Sequence, residues 1–124
     1  MGPGEVEDFA SKIGKDLRSG VLSLLILNIL KAEGKPTYGY DLIKSIRSLT
    51  DGRLAFQEGT IYPILRMMEE KGLLSSEWQK SVDGPPRKYY KLTALGREAA
   101  VEALDQWDGL SVTVNDVLSK LRGV

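Results

Sequence analysis

The segment Glu58–Gly72, which reads EGTIYPILRMMEEKG, decides the fold of this 124-residue chain. Its apolar residues Ile61, Leu65 and Met68 are spaced by four and three positions, which is the spacing of one face of an α-helix. The other side opens with a hydroxyl, a phenol and a proline ring, where a solvent-exposed helix would carry lysine and glutamate. We therefore expect a helix with one buried face and one face that contacts another molecule.

The expected limits of this helix follow from its capping residues. Thr60 is a candidate N-cap, which would place Pro63 in the first turn, where a missing N–H breaks no hydrogen bond. Gly72 is expected to end the helix, because glycine readily adopts the left-handed conformation found after a helical C-terminus. The sequence therefore predicts a helix of about three turns.

Two further helices are predicted upstream. Residues 21–30 are apolar at eight of ten positions, a run that is too short to span a membrane and indicates a helix buried on most sides. After a glycine and a proline that end it, Thr37 is the expected N-cap of an amphipathic helix over residues 38–49. A turn at residues 51–52 then leads to the helix predicted within Glu58–Gly72. This order of helices is that of a helix-turn-helix.

The hydrophobic period changes from 3.6 to 2 after Gly72. Residues 73–79 and 87–92 are rich in strand-favouring side chains and are expected to form two strands. Residues 81–86 between them contain two adjacent prolines and are expected to form an irregular loop. A hairpin that follows a helix-turn-helix is a wing, and Arg87 and Lys88 lie where its tip returns.

The last predicted element is a helix that begins at Thr93, its expected N-cap. Seven of its residues repeat at the a/d spacing of a coiled coil: Ala100, Ala103, Trp107, Leu110, Val114, Val117 and Leu121. The simplest cover for this stripe is the same helix of a second subunit in a two-fold dimer. A second stripe predicts a helix near the N-terminus that packs on the domain or on a second copy: Val6, Phe9, Ile13 and Leu17.

The composition argues against an enzyme and against a metal site. The chain has no cysteine and no histidine, which removes disulfides, thiolate ligands, the usual zinc sites and the commonest general base. No glycine-rich phosphate loop is present. Asp105 and Asp108 lie one helical turn apart, but an acidic solvated face explains them better than catalysis does. We expect no cofactor and no catalytic residues.

Charge is distributed unevenly although the net charge is zero. Residues 35–97 carry 11 basic and 7 acidic side chains, whereas residues 98–124 carry 2 and 5. The positive excess therefore surrounds the helix-turn-helix and wing, which favours contact with phosphates on one surface and self-association through another. The first residues lack the layout of a signal peptide, and no segment is long enough to span a membrane.

Several blocks resemble the signature of the PadR-like transcriptional regulators. The chain contains Tyr-Gly-Tyr-Asp-Leu at 38–42, Gly-Thr-Ile-Tyr-Pro-Ile-Leu at 59–65 and Glu-Lys-Gly-Leu-Leu at 70–74. It also contains Gly-Pro-Pro-Arg-Lys-Tyr-Tyr-Lys-Leu-Thr at 84–93, followed by Gly96. The similarity runs in order from about residue 22 to residue 96. It is specific because the blocks at 59–65 and 84–93 occur together.

The resemblance implies a mainly α-helical chain with a small β-hairpin. Its parts would be an N-terminal helical extension over residues 1–20, a winged helix-turn-helix DNA-binding domain over 21–93 and a C-terminal dimerisation helix over 94–124. The single C-terminal helix resembles the compact subfamily of these regulators. The implied function is that of a cytoplasmic homodimer that binds a near-palindromic double-stranded DNA operator, mostly as a repressor.

The hypothesis assigns eight residues to the DNA interface: Tyr38, Lys44, Thr60, Tyr62, Pro63, Arg66, Arg87 and Lys88. Some members of the compact subfamily bind planar apolar effectors on a tryptophan between the C-terminal helices, and Trp107 lies at a comparable place. Two interpretations of Trp107 stay open, a ligand-stacking residue and a side chain that only fills the dimer interface. The alternative for the whole chain is a winged-helix protein-interaction module without DNA binding, which zero net charge would suit.

Overall fold

The computed structural model describes residues 1–123, in which four helices pack with a small antiparallel sheet. The elements are helix α1 (Pro3–Glu33), strand β1 (Thr37–Tyr38), helix α2 (Gly39–Leu49), helix α3 (Glu58–Glu70), strands β2 (Leu74–Ser81) and β3 (Gly84–Leu92), and helix α4 (Ala94–Leu121). The sheet has the order β1-β3-β2, with both pairs antiparallel. The predicted fold class, a winged helix-turn-helix with flanking helices, is confirmed.

The core lies between the second half of α1, the helix-turn-helix and the inner face of the wing. It contains fifteen buried residues: Leu22, Ile26, Leu27, Leu30, Leu42, Ile43, Ile46, Ile61, Ile64, Leu65, Met68, Leu74, Tyr90, Leu92 and Ala100. The apolar residues of α2 and α3 recur at helical spacing, so each helix turns one face inward and leaves the opposite face exposed.

Helix α1 unites two segments that the sequence suggested separately. The expected N-terminal helix and the buried helix over residues 21–30 form one continuous helix of 31 residues. It ends at Gly34, which has a φ of 66° and donates its N–H to the carbonyl of Leu30 at 3.1 Å. Its N-terminal stripe is exposed and has no cover within residues 1–123: Val6, Phe9, Ile13 and Leu17.

Helix α3 begins earlier than predicted. Its N-cap is Gln57, without a side-chain hydrogen bond, so Thr60 is not the N-cap and Pro63 lies inside the helix rather than in its first turn. The Thr60 N–H donates to the Gln57 carbonyl at 2.9 Å, so a backbone hydrogen bond closes the first turn of α3 without a side-chain cap. The predicted end at Gly72 is confirmed: this residue has a φ of 77°, and its N–H donates to Glu69.

Strand β1 was missed by the sequence analysis. Thr37 was expected to cap α2, but it lies in extended backbone paired with Tyr90, while Tyr38 pairs with Tyr89 and is the N-cap of α2. A two-residue strand carries no periodic signal, since its only partner lies about fifty residues away along the chain. The consequence is that the start of α2 is fastened to the wing.

The predicted hairpin is confirmed, but its loop is shorter than expected. The prediction of an irregular loop over 81–86 was wrong, because β2 continues to Ser81 and β3 begins at Gly84. The ladder is irregular between Gln79 and Ser81, opposite Pro85 and Pro86. Prolines are tolerated at such a bulge because it requires fewer backbone donors than a regular ladder.

Helix α4 starts as predicted. The Thr93 hydroxyl accepts the N–H of Gly96 at 3.0 Å and donates to the Gly72 carbonyl at 2.6 Å, so one side chain caps α4 and ties it to the end of α3. One member of the predicted dimer stripe, Ala100, is fully buried within its own chain. It packs in the core of its own chain, which leaves little of its surface for the interface predicted for it.

Candidate nucleic-acid interface

Helix α3 presents a narrow exposed face opposite its core residues. Pro63 and Arg66 lie on this face, and Gly59 lies one turn before Pro63. Among residues 1–123, the Arg66 guanidinium has no ion-pair or side-chain hydrogen-bond partner. Its N–H donors therefore point into solvent, where a carboxylate or phosphate could accept them.

A group of tyrosine rings lies beside α3, where the start of α2 meets the wing. The Tyr38 ring centroid is 5.7 Å from that of Tyr89 on β3 and 6.2 Å from that of Tyr40 on α2. Tyr62 of α3 approaches the same place, since a Cβ on Gly39 would lie 3.5 Å from its ring. The Tyr62 ring therefore packs against the start of α2, next to Tyr38 and Tyr40.

Two cations stand over these rings. The Arg87 guanidinium carbon lies 4.9 Å from the Tyr38 centroid, and the Lys44 Nζ lies 5.7 Å from the Tyr40 centroid. A cation held over an aromatic face keeps its N–H donors at the edge available to a second ligand. Both cations are exposed, so the pairs leave positive charge at the surface.

We call this region the basic tyrosine surface and define it as Tyr38, Tyr40, Lys44, Tyr62, Arg66 and Arg87. Arg66 belongs to it because residues four apart on a helix are neighbours, and Arg66 follows Tyr62 by four positions. Five of its six members were predicted as DNA contacts from the sequence.

Partial burial raises the pKa of the Tyr62 phenol above its ordinary value of 10.0, with smaller contributions from Glu58 and the neighbouring tyrosines. The phenol therefore stays protonated at neutral pH. A protonated phenol can donate a hydrogen bond to a phosphate oxygen or a base edge. Its half-exposed position on α3 makes that donor accessible.

Thr60 lies apart from the basic tyrosine surface. Residues two apart on a helix differ by about 200° in direction, so Thr60 and Tyr62 occupy opposite flanks of α3. Thr60 lines a groove of about 580 Å³ together with Lys15 and Arg18 of α1 and with Phe56. The structure therefore does not bring Thr60 together with the other predicted residues.

Lys88 is engaged inside the protein. Its Nζ lies 3.1 Å from Glu69 Oε1 on α3 and 5.3 Å from the centroid of the Tyr90 ring. The hydrogen bond to Glu69 raises the pKa of Lys88 above its ordinary value of 10.5. Unlike its neighbour Arg87, Lys88 already has a carboxylate partner, although the two residues were predicted to have the same role.

The sequence did not predict Tyr40 as a member of the basic tyrosine surface, nor Tyr89 as the ring that packs beside Tyr38. The contact of Tyr40 with Lys44 could have been predicted, because residues four apart on a helix are neighbours and Tyr40 precedes Lys44 by four positions. The contact of Tyr89 with Tyr38 could not, since it depends on the pairing of β1 with β3.

The C-terminal stripe divides into a covered part and an exposed part. Ala103 packs against the core with Ala100. Beyond them the stripe is exposed within residues 1–123: Trp107, Leu110, Val114, Val117 and Leu121. Trp107 lies at the boundary, where it lines a cavity of about 440 Å³ between α1 and α4, mostly among apolar side chains.

No metal-binding group of three or more acidic, cysteine or histidine side chains occurs in the part of the chain that the structure describes. Over the same residues, no helix combines the length and the hydropathy that crossing a bilayer requires. The features that remain are the basic tyrosine surface, the exposed stripes and the cavity beside Trp107.

A helix-turn-helix with a two-stranded wing and an exposed face on its third helix defines the class of winged-helix proteins, whose fold suits DNA binding. The model of the transcriptional regulator PadR-like family matches residues 26–102. The chain belongs to this family. It is therefore a transcriptional regulator and not an enzyme.

Known proteins resemble the chain over most of its length. The crystal structure of a PadR family transcriptional regulator from Eggerthella lenta has a TM-score of 0.72 and 37% identity, covering 92% of this chain and 96% of that one. A PadR-like transcriptional regulator from Bacillus cereus has a TM-score of 0.64 and 36% identity, with coverage of 80% and 92%. The transcriptional regulator YqjI of Escherichia coli is 41% identical over 87 residues, which are 70% of this chain and 39% of YqjI.

Proposed function

We propose that the protein is a cytoplasmic, homodimeric repressor that binds a near-palindromic operator in double-stranded DNA. Residues 21–93 would form the DNA-binding unit and residues 94–124 the dimerisation helix, with residues 1–20 supporting the dimer. The two copies of α3 would then lie about 34 Å apart, so that both enter successive major grooves on one side of the duplex.

The observation that carries this proposal is the basic tyrosine surface. It joins the Arg66 guanidinium on α3, which has no ion-pair partner among residues 1–123, to two cations. Lys44 on α2 stands over the ring of Tyr40 on the same helix, and Arg87 on β3 stands over the ring of Tyr38 on β1. Positive charge combined with hydroxyl donors is the chemistry that recognises a phosphate backbone. The contiguity of these residues across four elements supports a single binding face.

Each member then has a role set by its element. Tyr62 and Arg66 would enter the major groove or contact its phosphates, and Pro63 would shape the presented face without donating. Tyr38 and Lys44 would hold the backbone from the supporting helix, while Arg87 would reach an adjacent groove from the wing. Thr60 stays a predicted contact at the flank of α3.

The proposal is tested by titrating the protein into fluorescently labelled duplex DNA and measuring anisotropy. With three or four phosphates neutralised per subunit, log K should fall against log salt with a slope of roughly −5 to −7. Arg66→Ala should weaken binding by about 1–3 kcal/mol, because one charged contact is lost. Arg97→Ala is the matched control, since Arg97 is an exposed arginine at the start of α4. Equal affinity of Arg66→Ala and the wild type would refute the assignment.

The second candidate function is a protein-interaction module that uses the same surface. The zero net charge of the chain favours it. Retention on heparin or on random-sequence DNA at low salt separates the two functions, because a module that binds only proteins should not be retained. Retention with the salt dependence given above would exclude this alternative.

For regulation, we propose that a planar apolar effector binds in the cavity beside Trp107 and releases the operator. The cavity lies between α1 and α4, so a ligand there can alter the angle between the subunits if it prefers one arrangement. Acridine quenching of Trp107 fluorescence can be measured in a Trp78→Phe background, which removes the other tryptophan. An unchanged quench in a Trp107→Ala variant that retains Trp78 would show that the signal does not report this cavity.

A further inference from the structure

The two neighbouring cations of the wing face opposite sides of the sheet. Successive side chains of a strand alternate between its faces, so Arg87 shares one face with Tyr89 and Lys88 shares the other with Tyr90. The contacts agree with this: Arg87 stands over Tyr38, the cross-strand neighbour of Tyr89, on the outer face. Lys88 stands over Tyr90, which is 7% exposed and belongs to the core.

Glu69, in the last turn of α3, uses both oxygens of its carboxylate to hold the wing. Oε1 accepts from the Lys88 ammonium on β3 at 3.1 Å, and Oε2 accepts a hydrogen bond from the Ser76 hydroxyl on β2. The Lys88 and Glu69 side chains are each about one third exposed, with 33% of their surface accessible. One carboxylate therefore connects α3 with both strands of the hairpin.

We infer that Lys88 is a positioning residue, which together with Glu69 and Ser76 sets the wing against α3 so that Arg87, and not Lys88, contacts DNA from this part of β3. The inference deepens the proposed function and rests on it. The two adjacent cations were predicted to have the same role. The inference gives them different roles: Arg87 contacts the DNA, and Lys88 holds Arg87 in place.

Electrostatics supports this division. Glu69 neutralises the charge of Lys88 at short range, so a phosphate beside Lys88 would also meet the Glu69 carboxylate, and like charges repel. A phosphate that displaced this carboxylate would free the last turn of α3 from β3. Arg87 has no carboxylate partner among residues 1–123, and its stacking on Tyr38 leaves its donors available.

The DNA arm of the test compares salt dependence in Lys88→Met, Lys88→Arg and Arg87→Gln, with random-sequence duplex DNA as the probe. Loss of one phosphate contact per subunit lowers the slope of log K against log salt by about 0.9, or by about 2 for a dimer. We expect that loss in Arg87→Gln. In Lys88→Met the slope should stay unchanged, but binding should be weaker by the same factor, up to about 5-fold, at every salt concentration, because ordering the loosened wing costs free energy without removing a phosphate contact. Lys88→Arg should restore the wild-type affinity. A slope that falls equally in Lys88→Met would show that Lys88 contacts phosphate and would overturn the inference.

A DNA-free arm keeps the test independent of the proposed function. Amide hydrogen exchange of β2 and β3 should become several-fold faster, about 5-fold, in Lys88→Met and Glu69→Gln, because the hairpin loses its connection to α3. Lys88→Arg should restore the protection, and Arg87→Gln should leave it unchanged. Unchanged exchange in both Lys88→Met and Glu69→Gln would refute the positioning role even if DNA binding were established. Absence of DNA binding in the wild type would instead refute the proposed function.

Discussion

Gly96 lies where α4 leaves the end of the wing, and the backbone there leaves no space for a side chain. A Cβ at this position would overlap the carbonyl oxygen of Leu73 and lie 3.0 Å from Leu92 Cδ2. The same carbonyl accepts the Thr93 N–H at 3.1 Å, so it cannot move without breaking the cap of α4. The glycine of the family signature is therefore explained by close approach of two backbone segments.

Gly96→Ala is expected to destabilise the protein by about 2–3 kcal/mol, because the added methyl group overpacks against backbone. Gly109→Ala in the same helix is the matched control, since nothing lies within 4 Å of a Cβ at that site. It should stabilise the protein by about 0.5–1 kcal/mol through the higher helix propensity of alanine. Urea unfolding of both variants measures the difference. Equal stabilities would contradict the packing explanation.

Single residues also show where sequence reasoning reached its limit. Arg87 and Lys88 are adjacent cations at a predicted wing, and nothing in the sequence ranks one above the other. The strand was predictable from its period, but which of its faces meets α3 was not, because that depends on how the sheet packs. The same limit applies to Thr60, whose exposure was predicted from the sequence. The side of α3 on which it lies was not, because Thr60 was expected to cap the helix and instead lies within it.

At the scale of elements, α3 is fastened at both ends. Arg47 on α2 pairs with Glu58 in its first turn at 3.3 Å, and Glu69 in its last turn binds both strands of the wing. Pro63 lies between these contacts and removes one backbone donor from the helix interior. The cross-element contacts hold the orientation of a helix whose own hydrogen-bond ladder is interrupted.

The contact of Glu69 should make stability depend on pH. The Ser76 hydroxyl, and then the Lys88 ammonium, hold the pKa of Glu69 below its ordinary value of 4.5. The unfolded chain therefore takes up the proton first as the pH falls. The contribution of the Glu69 carboxylate to the free energy of unfolding is therefore complete above the ordinary pKa of 4.5. It disappears as the pH falls through the lower pKa that Glu69 has in the folded protein.

Glu69→Gln should accordingly be less stable than the wild type near neutral pH, by about 0.5–1 kcal/mol. The difference should shrink as the pH falls below about 4, since the wild type then loses the same charge. Urea unfolding at several pH values measures it, with Glu70→Gln, an exposed neighbour, as the control. A difference that does not depend on pH would show that the carboxylate charge is not responsible.

At the scale of the whole molecule, two apolar stripes have no cover within the part of the chain that the structure describes. One lies on α1 from Val6 to Leu17 and the other on α4 from Leu110 to Leu121. Each spans eleven residue steps, about 16 Å of helix. Exposed apolar stripes of this regularity are typical of interaction surfaces, which supports the proposed dimer.

A charge on the α4 stripe should separate the subunits. Val117→Asp would bury an unpaired carboxylate in the proposed interface, so the variant should sediment as a monomer. Its affinity for operator DNA should fall by at least about 100-fold, because the second half-site is no longer linked to the first. Val112→Asp is the control, since Val112 is 70% exposed on the same helix but lies off the stripe. A wild-type chain that is monomeric at micromolar concentration would contradict the proposal.

The sequence by itself determined the order of α2, α3, the wing hairpin and α4, the inward faces of α2 and α3, the caps at Thr93 and Gly72, and the family. These features depend on local periodicity and on conformational preferences of single residues, which neighbouring positions reveal. Only the tertiary structure decided that Thr37 begins a strand, that Ala100 belongs to the core and that Lys88 faces α3. Those features depend on contacts between residues far apart in the chain, which no local pattern records.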